Sequence, residues 1–120
     1  MNQVRLKRLN NLFTIEISKI LHEEIKDPDI DFVSITGCNI TNDLSFCKVY
    51  FTVLNEDKLV DTTKALNGAS SYIRKLLAGR VEISKMPELR FQYDNSYNYG
   101  KHMDKVIEEL ERSEQDSNNW

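Results

Sequence analysis

The stretch LNGASSYIRKLL, residues 66–77, has the spacing of one helix and a centre that is unfavourable for helix formation. The run from Asn67 to Ser71 is dominated by residues of low helix propensity. The side chains around it nevertheless stay on one helical face, at intervals of three and four residues: Leu59, Thr63, Leu66, Ser70, Ile73 and Leu77. The pattern predicts a helix over residues 57–78, ended by Gly79, that bends at Gly68, Ala69, Ser70 and Ser71 while both halves pack on one surface.

Periodicity and turn residues predict the rest of the fold: an amphipathic helix from Asn2 to Ile25, strands at Phe32–Ile40 and Leu44–Leu54, a third strand in ELRFQYD, and a final helix after Asp94-Asn95-Ser96. Pro28 ends the first helix because it cannot donate a backbone hydrogen bond. The order is α-β-β-α-kink-α-β-α. It indicates a small α+β domain, with three strands packed against helices, over residues 1–112 and a polar disordered tail at residues 113–120.

The register of the first two strands requires an irregularity. A two-residue turn at Asn42-Asp43 would place Phe51 opposite Ser34, whereas Ile35 is the better apolar partner. The pairing is therefore expected to shift by one residue, either through a bulge at Gly37 or through a longer turn.

Length and composition restrict the class of function. With 120 residues, 40% of them apolar and 29% charged, the chain is expected to form one domain with its own core. No apolar run has the length of a membrane span, and the basic start leads into an amphipathic pattern, so a cytoplasmic protein without membrane contact is predicted. Cys38 and Cys47 are expected to be reduced, and neither they nor His22 and His102 have metal-ligand spacing. No cofactor or small-molecule substrate is predicted.

The charge is unevenly distributed along the chain. The formal net charge of −3 argues at first against a nucleic-acid partner. However, residues 1–19 hold four basic side chains and one acidic side chain, and residues 74–90 hold five basic and two acidic ones, so each segment carries +3. Residues 104–116 hold two basic and six acidic side chains, or −4. Because an electric field depends on local charge, an acidic total is compatible with a basic surface.

The predicted bend offers a site for an anion. A helix that restarts after a break presents backbone N–H groups and the positive end of its dipole. Lys64, Gly68, Ser71 and Lys75 form one polar line across the break, where small residues let a nucleic-acid backbone approach. The same stretch also fits a close contact with another helix and a solvated basic face, and the residues alone leave both interpretations open.

Four segments resemble the ribosome-binding factor A family of bacterial small-subunit assembly factors, over about residues 3–110. They are EISKILHEEIKDPDI, LSFCKVYFTVL, ALNGASSYIRKLLAGRV and MPELRFQYDNSYNYGKHMD, in this order. The resemblance implies a KH-like fold of type II topology. In KH domains a GxxG loop clamps the nucleic-acid backbone, whereas this family has a helix-kink-helix marked Ala-x-Gly. Here that motif reads Ala69-Ser70-Ser71, so Ser71 stands where the family has glycine, and Gly68 precedes the alanine.

The resemblance also implies a function. The chain would be a monomeric ribosome-binding factor without enzymatic activity that binds the free 30S subunit and its 16S rRNA. It would assist late small-subunit maturation, including 5′-end processing of 16S rRNA, and cold adaptation. The residues expected to contact RNA are Arg5, Lys7, Arg8, Lys64, Ser70, Ser71, Arg74, Lys75, Arg80, Lys85 and Arg90.

Two other classes of function are alternatives. Tyr93, Asp94, Tyr97, Tyr99 and His102 suggest a polar pocket for acid–base chemistry, but Asp94 is better explained as a cap, and no nucleophile elbow, P-loop or GxGxxG motif is present. The second alternative is a generic RNA-binding or protein-interaction module without a role in ribosome assembly. The basic amphipathic first helix would suit an acidic partner or a membrane surface, although the sheet needs its apolar stripe for the core.

Overall fold

The computed structural model describes residues 2–30, 32–97 and 100–117, without the side chains of 97, 100–104 and 114–117. Its regular elements are α1 (Gln3–Glu23), β1 (Val33–Ile40), β2 (Phe46–Val53), α2 (Leu59–Gly68), α3 (Ser70–Ala78), β3 (Glu88–Tyr93) and α4 (Gly100–Ser117). Single 3-10 turns follow α1, β2 and β3. The element order predicted from the sequence is confirmed.

The three strands form one sheet in the order β1-β2-β3. β1 and β2 are antiparallel, whereas β3 returns parallel to β2 after the crossover through α2 and α3. Helix α1 packs against β1, and α2 and α3 pack against β3. The side chains that face the helices are buried in alternation along the strands: Cys47, Val49, Phe51, Leu89, Phe91 and Tyr93. The other face of the sheet carries exposed and half-buried side chains, so helices cover one side.

The expected irregularity between β1 and β2 is confirmed. Ile35 pairs with Phe51, and the register shifts between Ile35 and Gly37, which marks a bulge. The turn is also longer than two residues, because residues 41–45 connect the strands. The two alternatives therefore occur together, and the bulge restores apolar pairing on the buried face.

The core lies between the sheet and the helices. Helix α1 is capped by the side chain of Asn2, which accepts a hydrogen bond from the Val4 N–H at 2.8 Å. Residue spacing predicts one buried apolar stripe along this helix, made of Leu6, Leu9, Phe13, Ile17, Ile20 and Leu21. The stripe is confirmed, since Leu9 is half-buried and the other five are at most 8% exposed. The remaining helices add Leu59, Leu66, Ile73, Leu77, Val106 and Leu110. Removal of these side chains from water is the main favourable term in folding.

Helix α4 differs from its predicted extent. The amphipathic spacing of the last helix predicts a buried side made of Met103, Val106, Ile107 and Leu110. Val106 and Leu110 are buried and Ile107 is half-buried, whereas the side chain of Met103 lies outside the described ones. The helix continues to Ser117, so the expectation that residues 113–117 lack structure is corrected. Arg, Glu and Gln favour helix even without an apolar stripe, and residues 113–117 contain no apolar side chain from which a helix could be predicted by periodicity. Residues 118–120 of the predicted tail lie outside the described residues.

No described helix combines the length and apolar character that crossing a bilayer requires.

Candidate nucleic-acid interface

The break in the long helix lies at Ala69, between the end of α2 at Gly68 and the start of α3 at Ser70. Ala69 has φ −94° and ψ 0°, outside helical geometry. Its N–H still donates to the carbonyl of Ala65 at 3.0 Å, and its carbonyl accepts from the N–H of Ile73 at 2.9 Å. Because hydrogen bonding continues through the junction, α2 and α3 keep one common buried side.

The polar line predicted across the bend lies on the surface. Lys64, Gly68, Ser71 and Lys75 are all exposed. Apart from its chain neighbours and the backbone of its own helix, no described atom lies within 4 Å of the position that a Cβ of Gly68 would take, so this side of the helix is open. Among the described residues, neither lysine is within ion-pair distance of a carboxylate. Two ammonium groups, a hydroxyl and accessible backbone suit contact with phosphate.

Asn67, one of the residues of low helix propensity at the centre of the helix, binds the edge of the sheet. Its side-chain oxygen accepts a hydrogen bond from the Phe91 N–H at 2.9 Å, and its side-chain nitrogen donates to the Phe91 carbonyl at 3.2 Å. The amide thus takes the place of a neighbouring strand at the edge of β3. Asparagine can make both bonds, whereas better helix formers such as alanine and leucine can make neither. The residue joins α2 to the sheet and is half-buried.

Two of the predicted RNA-contacting residues at the bend are engaged within the chain. The hydroxyl of Ser70 donates to the carbonyl of Asn67 at 2.8 Å. The guanidinium of Arg74 donates from Nε to the carbonyl of Pro87 at 3.0 Å, and from Nη2 to that of Met86. Arg74 therefore holds the segment that leads into β3, which favours a structural role for it.

Arg80 forms a cluster of ion pairs with α1. Its guanidinium lies 3.5 Å from a carboxylate oxygen of Glu16, 3.6 Å from Glu23 and 3.8 Å from Glu24, and its side chain is only 26% exposed. The charge of Arg80 is thus largely compensated. The local sum of +3 over residues 74–90 overstates the positive field, because three of the opposing carboxylates come from another segment.

The basic residues at the start of α1 form a separate group. Arg5, Lys7 and Arg8 are exposed, and Arg5 and Arg8 line a groove of about 490 Å³ together with the connector between α3 and β3. The other residues that line this groove are Leu9, Leu12, Glu82, Ile83 and Ser84. The sequence pattern contained no signal for the groove, because it depends on how residues 79–87 cross α1.

Lys85 and Arg90 occupy two further positions. Lys85 is exposed and donates to the hydroxyl of Ser45 at 3.4 Å, near the β1–β2 turn. Arg90 alternates with the buried Leu89 and Phe91 on β3, so it lies on the face of the sheet opposite the helices. The predicted residues therefore do not share one face. The structure brings together two separate groups. One is the line across the bend, and the other is formed by Arg5 and Arg8 at the start of α1 beside the connector.

The residues considered for acid–base chemistry have structural partners where they are described. The Tyr93 ring packs edge-on against Phe51 with ring centroids 6.2 Å apart. Asp94 accepts hydrogen bonds from Ser96 and from Thr36, and these bonds lower the pKa of its carboxyl group. The side chains of Tyr97, Tyr99 and His102 lie outside the described ones.

The two cysteines lie on neighbouring strands with free thiols. The hydrogen bond between their side chains, together with burial, raises the pKa of the Cys47 thiol. Within the described part of the chain, no three His, Cys, Asp or Glu side chains come together as metal ligands would.

A family model and individual relatives that match this sequence carry the same description. The family described as ribosome-binding factor A matches residues 5–107. A protein of that name from Staphylococcus epidermidis is 42% identical over 115 residues, which cover 95% of this chain and 99% of the relative. The protein of the same name from Staphylococcus carnosus is 40% identical over 115 residues, which cover 95% of this chain and 100% of the relative.

Solved structures show the same fold. The crystal structure of ribosome-binding factor A from Thermus thermophilus matches with a TM-score of 0.64 and 22% identity, covering 73% of this chain and 94% of the other. A homology model of the Thermus thermophilus factor has been fitted into a cryo-EM map of a 30S complex of that factor. It matches with a TM-score of 0.65 and 19% identity, covering 78% of this chain and 99% of the other. The KH-like α+β fold predicted from the sequence is confirmed.

Proposed function

The chain belongs to the ribosome-binding factor A family, and on that premise we propose that it binds the free 30S subunit and contacts 16S rRNA. The observation that carries the proposal is the match to named relatives at 40–42% identity over nearly the whole chain. The protein acts as a cytoplasmic monomer that holds RNA in one arrangement, without bond chemistry. It assists late small-subunit maturation, including 5′-end processing of 16S rRNA, and supports growth in the cold.

The line across the bend is the part of the surface best suited to rRNA. Lys64 and Lys75 supply charge, Ser71 supplies a hydroxyl, and Gly68 leaves room for the sugar–phosphate backbone. Each lysine that neutralises a phosphate releases counterions, so the affinity should fall steeply with salt. Of the other residues predicted to contact RNA, Lys7 and Lys85 are exposed and add to this binding, whereas Ser70, Arg74 and Arg80 bind other parts of the chain and shape the domain.

The proposal is tested by co-sedimentation of the purified protein with small subunits, large subunits and joined ribosomes across a salt series. We expect binding to free small subunits only. The Lys64→Glu/Lys75→Glu variant should bind at least tenfold more weakly, and the slope of log affinity against log salt should fall by about 1.4 to 1.8, the contribution of two phosphate contacts. Lys26→Glu/Lys105→Glu makes the same charge change at two other exposed lysines and serves as the control.

The outcomes distinguish an error in the proposed function from an error in the proposed binding surface. A folded wild-type protein that binds no small subunit at any salt concentration contradicts the ribosomal function. Binding by the Lys64→Glu/Lys75→Glu variant that matches the control would keep the function and remove the line across the bend from the interface. The maturation role is tested by deleting the gene: unjoined small subunits with 5′-extended 16S rRNA should accumulate, more strongly at low temperature.

A further inference from the structure

Helix α1 has a second apolar stripe on its outer side. Val4, Leu12 and Ile15 are 60%, 38% and 52% exposed. At 3.6 residues per turn these three side chains lie within about 80° of one another around the helix axis, opposite the buried Phe13. Arg8 lies within the same sector. Exposed apolar groups that cluster in this way mark interaction surfaces more often than isolated ones do.

This stripe borders the groove between α1 and the connector. Leu9, Leu12 and Ile83 are the apolar residues that line the groove, and its charged lining residues, Arg5, Arg8 and Glu82, are exposed, with two positive charges against one negative charge. Its volume of about 490 Å³ lies within the usual range of binding pockets, roughly 300–1,000 Å³.

The wall of the groove is held in place from both ends. Arg80 ties the start of the connector to α1 through three carboxylates, and Arg74 binds the carbonyls of Met86 and Pro87 at its end. Residues 82–84 lie between these two anchors and line the groove. Because the site is formed before binding, a ligand need not pay the full cost of ordering it.

We propose that this surface, the α1 groove (Val4, Arg5, Arg8, Leu12, Ile15 and Ile83), binds an acidic amphipathic segment of a ribosomal protein. The inference rests on the proposed function, since it places that segment on the small subunit. Apolar side chains of the segment cover the stripe, and its carboxylates pair with Arg5 and Arg8, where the guanidinium fork matches a carboxylate. These two arginines are thereby assigned to protein and not to phosphate.

Protein fits the α1 groove better than RNA does. RNA presents phosphates, hydroxyls and base faces, and its bases stack on aromatic rings or guanidinium planes. Val4, Leu12 and Ile15 offer aliphatic surface, which gains from contact with other apolar side chains. The line across the bend has the opposite character, with polar and small residues. The line across the bend thus suits the RNA of the small subunit, and the α1 groove suits one of its proteins.

A photo-crosslinker tests the assignment directly. The full chain with p-benzoylphenylalanine in place of Ile15 is bound to purified 30S subunits and irradiated, with the same group in place of Leu54, which is 77% exposed on the β2–α2 connection, as control. We expect a nuclease-resistant crosslink from position 15 to a ribosomal-protein segment that contains apolar and acidic residues. A crosslink to rRNA or to a second copy of the chain, or no crosslink at saturation, overturns the proposal.

Affinity measurements provide a second test. Leu12→Gln/Ile15→Gln should bind 30S subunits about tenfold more weakly with an unchanged salt slope, and should bind protein-free 16S rRNA like the wild type. Leu54→Gln is the matched control, and thermal melts establish that each variant is folded. Equal loss toward naked rRNA, or no loss toward subunits, overturns the proposal. Failure of the wild type to bind subunits contradicts the proposed function instead.

Discussion

The contact between Asn67 and β3 can be tested by a single substitution, Asn67→Ala. The wild-type amide satisfies both the N–H and the carbonyl of Phe91, a residue that is only 1% exposed. Alanine removes both hydrogen bonds and leaves a peptide group at the sheet edge beneath α2. The helix itself should tolerate alanine well, since alanine has the highest helix propensity.

The expected cost is the difference between two terms. A buried donor or acceptor without a partner costs about 1–3 kcal/mol, and the gain in helix propensity from Asn to Ala returns up to about 0.7 kcal/mol. The net loss of stability should be about 0.3–2.3 kcal/mol. The entropy of unfolding is about 2.1 cal/mol/K per residue, hence about 0.25 kcal/mol/K for 120 residues, so the melting temperature should fall by roughly 1–9 °C.

Thermal and urea unfolding followed by circular dichroism measure this loss, and amide hydrogen exchange reports on the Phe91 N–H directly. Ser71→Ala is the control, because it places alanine at an exposed helical position nearby. If Asn67→Ala is as stable as wild type and the Phe91 amide stays protected, Asn67 does not join α2 to the sheet.

Two further predictions concern single residues. Gly68 has open space around its Cα and no left-handed φ, so Gly68→Ala should raise stability by about 0.5–1 kcal/mol in urea unfolding; a loss would show that the bend requires glycine. Hydrogen bonds from Ser96 and Thr36 lower the pKa of Asp94 in the folded state. Its contribution to stability is therefore present above the pKa of the unfolded chain and is lost as the pH falls below about 4. Asp94→Asn should flatten the acid limb of stability between pH 2 and 6, and an unchanged acid limb would contradict the assignment.

The fold was predictable because its signals are local or periodic. The buried stripe of α1, the alternation in β2 and β3 and the break at Ala69 all follow from residue spacing. The shifted register could also be inferred, since Phe51 required an apolar partner and Ile35 was the one available. The end of α4 was mistaken because a solvated helix needs no apolar pattern.

The candidate site was only partly predictable, because a charge in the sequence carries no information about its partner. Arg74 and Arg80 look like free cations, and their partners come from segments that only the tertiary fold brings near. A weak signal existed for Arg80: Glu16, Glu23 and Glu24 are spaced by seven and eight residues, which places them on one side of α1. The outer apolar stripe of α1 was visible in principle, but one buried stripe already accounted for the helix.

The parallel pairing of β3 with β2 has a consequence for synthesis of the chain. The hairpin of β1 and β2 can form with α1 as soon as residue 53 is available, but the far edge of β2 must wait for residues 54–87 to cross over. Until β3 emerges, a nascent chain presents an unpaired strand edge beside an uncovered apolar face, the combination that invites pairing with other chains. Protection of the growing domain therefore begins only when its third strand has been made.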